Sequence, residues 1–88
     1  MISKTIEVKN RIGFHARPVA LLIETAKKYN CKLEVSKGDH IADMRSIVNL
    51  LRMQVKMGDN VSIIADGEKE EEALEAVISL IDSKFGED

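Results

Sequence analysis

Cysteine, proline and aromatic residues are scarce in this chain. Cys31 is the single cysteine, so no internal disulfide can form, and a reducing cytosol is the expected compartment. Tryptophan is absent, and Phe14, Tyr29 and Phe85 are the only aromatics. Thirteen basic residues stand against fifteen acidic ones, a net charge of −2. A nucleic-acid module needs a basic footprint and stacking aromatics, and this chain offers neither. No apolar run approaches the roughly 20 residues of a membrane span. The opening MISKTIEV also lacks the long apolar core of a signal peptide, so membrane insertion is not expected.

What is present suits one small domain spanning residues 1–88, 44% hydrophobic and 32% charged. By surface scaling such a chain buries about 64% of what it exposes when unfolded, enough for a core without metal or disulfide. It is short for an enzyme with its own substrate cleft. A binding module or carrier is expected.

Ile2, Ile6 and Val8 share one parity and predict a strand over 2–8. Val19, Leu22, Ile23 and Ala26 recur at helical spacing and predict a helix over 16–28, with Pro18 near its start. Cys31, Leu33 and Val35 alternate with polar residues, and the turn at Lys37-Gly38-Asp39 leads into a returning strand over 40–44. A second helix follows Ser46, with Leu50 expected inside and Val48 outside. A fourth strand covers 61–65. The last helix starts near Lys69 or Glu70, with Leu74, Val77, Ile78, Ile81 and Phe85 on one face and Lys84 in its last turn. Glu68, Glu70, Glu71 and Glu72 crowd the positive end of that helix and read as capping and a solvated face, with no metal. The order βαββαβα implies two layers, but periodicity alone leaves open a ferredoxin-like arrangement.

The stretch Gly13-Phe14-His15-Ala16-Arg17-Pro18-Val19-Ala20 carries the chemistry. His15 stands where a loop becomes a helix, and a helix start offers unpaired N–H groups to anions. Pro18 has no N–H, so the useful donors are the amides of Ala16 and Arg17. The Arg17 guanidinium can fork onto phosphate oxygens. A nucleophilic imidazole beside such donors suits phosphoryl transfer, which mostly needs positioning and charge neutralisation. The segment holds no carboxylate to activate water, so a phosphoryl group placed on His15 would be held for a partner. His40 lies beside a turn with no second His or Cys at ligand spacing, so neither metal nor cofactor is expected.

The segment GFHARPVA resembles the active-site segment of HPr, the histidine-containing phosphocarrier family of the bacterial phosphoenolpyruvate–sugar phosphotransferase system. The second segment, MRSIVNLLRMQVKMGD, fits the same family at the expected separation, so the resemblance covers essentially the whole chain. It implies an α+β open-faced β-sandwich, a four-stranded antiparallel sheet covered on one face by three helices. It implies a carrier that is not itself a free-standing enzyme, and a cytoplasmic monomer is the default expectation. His15 would take a phosphoryl group on Nδ1 from enzyme I, which draws it from phosphoenolpyruvate, and pass it to an enzyme IIA domain. Ser46 matches the family's regulatory serine, which implies an HPr kinase and a catabolite-control transcription factor as further partners in some hosts. Ser46 is also a favoured N-cap, and a phosphate there need not unfold the helix. Ala20, Ile47, Val48 and Leu51 match docking positions, although Ile47 and Leu51 read equally as core. The alternative is a paralogue regulating catabolite or nitrogen use through phosphorylation-dependent binding. One such class lacks the active-site histidine, which is retained here. Ile12 departs from the hydroxyl residue or glycine common in relatives. Asn49 and Gln54 stand where glycine is common. These three positions bear on partner choice.

Overall fold

The structure is a computed structural model that describes residues 1–86. Residues 87–88, part of the single domain expected from the sequence, lie outside the described residues. The elements are β1 (Ile2–Glu7), α1 (Ala16–Ala26), β2 (Lys32–Lys37), β3 (His40–Asp43), α2 (Ile47–Arg52), β4 (Asn60–Asp66) and α3 (Glu70–Asp82), followed by a 3₁₀ turn over Lys84–Gly86. The four strands form one antiparallel sheet in the order β1-β4-β2-β3. That order puts β4 and β2 in the interior. A ferredoxin-like sheet has β1 and β3 there, so that arrangement is excluded and the open-faced sandwich stands.

Alternation on the inner strands decides which sheet face is covered. Val61, Ile63 and Ala65 of β4 point one way and pair with Ile6, Val35 and Leu33 in register. They join Val19, Leu22 and Ala26 of α1, Leu50 of α2, and Ala73, Val77 and Ile81 of α3 in one buried core. Burying each of the larger side chains contributes about 1.5–3 kcal/mol. The opposite face is open and mostly polar, with Ile41 and Ile64 the large apolar residues on it: Thr5 and Ser62 share a hydroxyl hydrogen bond of 2.8 Å across β1 and β4.

Two helix ends differ from expectation. α1 stops at Ala26, because Lys28 N–H bonds back to Thr25 O and Tyr29 N–H to Ala26 O, both three residues behind. α3 stops at Asp82, so Lys84 is not in its last turn and Phe85 is not on its stripe. Lys84 and Phe85 take φ values of +60° and +55°. This left-handed turn redirects the chain and buries the Phe85 ring edge-on against Phe14, with centroids 5.9 Å apart and planes at 85°. Aromatic edge contact outweighs helical continuation there.

Candidate functional site

His15 is the N-cap of α1, in extended conformation, and its carbonyl accepts the first helical bond from Val19 N–H at 3.0 Å. The Ala16 and Arg17 amides therefore open the helix with no hydrogen-bond partner among the described residues. Pro18 is buried against the core and supplies no donor. Arg17 is exposed and in no ion pair among the described residues. His15 itself is half-buried.

The loop before His15 is wedged against the segment after α2. Gly13 takes φ +79°, and a Cβ on it would lie 2.7 Å from Lys56 Cα and closer still to the Val55 carbonyl oxygen. Only glycine permits that approach. Phe14 N–H donates to Val55 O at 3.0 Å, and Gly13 O accepts from His15 N–H at 3.1 Å and from Asn10 Nδ2 at 2.8 Å.

The supporting segment is itself clamped. Lys37 Nζ donates to Gln54 O at 3.1 Å and to Met53 O at 3.4 Å, and pairs with Asp59 at 3.0 Å. Asp59 Oδ2 also accepts from Lys56 N–H at 2.8 Å. That backbone donor, and then Lys37, hold the Asp59 carboxyl below its ordinary value. Gln54 takes φ +51°, the left-handed conformation in which glycine is unstrained.

Ser46 caps α2: its Oγ accepts from Asn49 N–H in a long bond of 3.4 Å, and its carbonyl from Leu50 N–H at 3.0 Å. It is not brought beside His15. The neighbouring Arg45 guanidinium donates to the carbonyls of Ala26 and Tyr29, both at 2.8 Å, and of Cys31 at 3.2 Å. This ties the start of α2 to the far end of α1, and the intervening 11-residue helix is roughly 16 Å long. Arg45 is a cation at a helix C-terminus, donating to the last helical carbonyl and to two carbonyls just beyond it.

The apolar surface lies on α2 and beside it. Ile47, Val48 and Leu51 are 48%, 55% and 41% exposed while Leu50 is fully buried, so the core reading of Ile47 and Leu51 fails. α2 is one and a half turns long and buries a single residue, which leaves the other apolar positions outside. Ala20 is exposed on α1, as is Ile12 before the wedge. Asn49 is exposed on α2. Cys31 is a buried free thiol. Among the described residues no three His, Cys, Asp or Glu side chains gather.

A family model described as the PTS HPr component phosphorylation site matches residues 2–83. The chain belongs to the HPr family of the phosphotransferase system. The family is one of phosphocarriers within a phosphotransfer relay. An HPr crystal structure from Thermoanaerobacter tengcongensis superposes with a TM-score of 0.96 at 42% identity, covering 100% of this chain and 99% of that one. Phosphocarrier protein NPr of Escherichia coli is 34% identical, over 99% of this chain and 98% of its own length. HPr-like protein Crh of Halalkalibacterium halodurans is 31% identical, over 96% and 100%. No helix among the described residues is long and apolar enough to cross a membrane.

Sequence reasoning missed Asn10 and Lys37 as supports of the loop before His15 and of the segment behind it, and Arg45 as the tie between α2 and the end of α1. Each acts on backbone carbonyls. Arg45 and Lys37 reach 14 to 19 residues along the chain, and no local spacing rule reports such partners.

Proposed function

We propose that this chain is a phosphoryl carrier that accepts its group on His15 from enzyme I and delivers it to an enzyme IIA domain. The observation that carries the reading is the pair of unbonded amides, Ala16 and Arg17, at the helix start that His15 caps, with the free Arg17 guanidinium beside them. The imidazole Nδ1 lone pair attacks phosphorus, the bond from phosphorus to the donor breaks, and the donor leaves with that electron pair. The two amides and Arg17 hold the phosphoryl oxygens by charge-assisted hydrogen bonds. Transfer onward repeats the displacement with His15 as leaving group. All these residues lie on one chain, so the carrier acts as a monomer, in the cytoplasm where its donor works.

Partners dock on Ala20, Ile47, Val48 and Leu51 in this reading, because three large apolar side chains exposed on one short helix favour association. Ile12, Asn49 and Gln54 tune which partner fits. Phosphorylation of Ser46 by an HPr kinase adds negative charge beside that patch, at the far end of α1 from His15, and weakens enzyme I docking without blocking the imidazole. The relatives named NPr and Crh favour a second reading, a regulator of nitrogen or catabolite use that binds a transcription factor or another target when phosphorylated.

The test is intact mass after incubation with phosphoenolpyruvate, magnesium and the host's enzyme I. One acid-labile phosphoryl group is expected, absent in His15→Ala. Arg17→Ala should slow its appearance on the order of tenfold to hundredfold with the melting temperature unchanged. An unmodified mass with active enzyme I would shift the assignment to the Ser46-dependent regulator.

A further inference from the structure

Asn10 is the one polar or charged residue among those described that is fully buried, at 0% exposure. Burying an amide side chain costs stability unless it is hydrogen-bonded, and an apolar residue would avoid that cost. Its Nδ2 donates to the Gly13 carbonyl at 2.8 Å, and the same oxygen accepts the His15 amide at 3.1 Å. Two donors thus converge on one carbonyl, two residues before the imidazole. The other side of the turn is fixed by the Gly13 wedge and by Phe14 N–H on Val55 O. Of these restraints, the Asn10 bond is the only one made by a side chain, and it fixes the Gly13–Phe14 peptide plane, whose carbonyl accepts the His15 N–H.

We infer that Asn10 is a positioning residue for phosphoryl transfer: its side-chain amide locks the Gly13 carbonyl and so aims the His15 imidazole along the Ala16 and Arg17 amides. This rests on the carrier reading of His15. Asn10 is fully buried, so its loss acts on the chemical step and leaves the docking surface alone. Misplacing a reacting atom by about 1 Å costs on the order of a hundredfold in rate.

The experiment measures enzyme I-dependent phosphorylation of Asn10→Ala and of Val77→Ala, a destabilised control in the α3 core. Asn10→Ser, which keeps a shorter donor, serves if the alanine variant does not fold. Proton–nitrogen NMR spectra of His15, amide and ring, accompany each rate. The expected result is a kcat at least tenfold lower in Asn10→Ala with KM within twofold of the parent, an intermediate kcat in Asn10→Ser, and a parental kcat in Val77→Ala. His15 resonances move in the Asn10 variants and stay in Val77→Ala. A kcat loss shared equally by Val77→Ala, or a parental kcat in folded Asn10 variants, overturns the inference. If the parent protein is not phosphorylated at all, the carrier reading fails. His15 resonances unmoved by Asn10→Ala then overturn the positioning role separately.

Discussion

Replacing Gly13 by alanine tests the wedge that seats His15. At φ +79° an L-residue costs about 1–2 kcal/mol relative to glycine. The added Cβ meets backbone atoms of Val55 and Lys56, with Lys56 Cα at 2.7 Å, so no side-chain rotation relieves it. Overpacking of this kind costs about 1–3 kcal/mol. Moving the loop away also breaks the 3.0 Å bond from Phe14 N–H to Val55 O, about 1 kcal/mol net. The stiffer unfolded chain returns about 0.4–1 kcal/mol. Gly13→Ala should therefore lose about 2–5 kcal/mol. Gly38→Ala is the control: it has φ +59° but nothing within 4 Å of a new Cβ, so only the backbone strain of about 1 kcal/mol remains. Urea unfolding of both variants, with equal m-values, isolates the contact. A gap below about 1 kcal/mol between them would refute the close approach as the reason for glycine.

Arg45→Met should destabilise by about 2–3 kcal/mol, because three carbonyls at and just beyond the end of α1 lose one charged donor; unfolding in urea checks it, and a loss below half that would show that water replaces the guanidinium. Gln54→Gly should stabilise by about 0.5–1 kcal/mol by relieving the left-handed backbone at φ +51°, read as a rise in urea midpoint. Asp59 has its folded pKa lowered by the Lys56 N–H and Lys37. Its contribution is thus fully present above the unfolded value and is lost as pH falls through the folded one. The stability advantage of the parent over Asp59→Asn should be constant above about pH 5 and shrink below about pH 4; an advantage independent of pH would remove the carboxylate from the clamp.

Period-two and period-3.6 patterns report burial locally, which is why the strands, the core faces of α1 and the order βαββαβα were legible from the chain alone. The segment Gly13–Val19 likewise showed its local arrangement, because an N-cap histidine, two amide donors and a proline are neighbours in sequence. Two-layer packing required only that each element hide one apolar face. The sheet order was another matter: β4 enters between β1 and β2, pairing with β1 across more than 50 residues, and no local pattern encodes that choice. Phe85 shows the same limit, since its spacing fits the α3 stripe while the ring energetically prefers Phe14. The exposure of Ile47 and Leu51 depended on how short α2 is and which side the sheet covers. Most of all, the clamps on the loop before His15 and on α2 consist of donors seeking distant carbonyls: Phe14 N–H on Val55, Lys37 on Met53 and Gln54, and Arg45 on Ala26 and Tyr29. Every backbone offers such carbonyls, so composition cannot name the partner, and only the folded chain selects it.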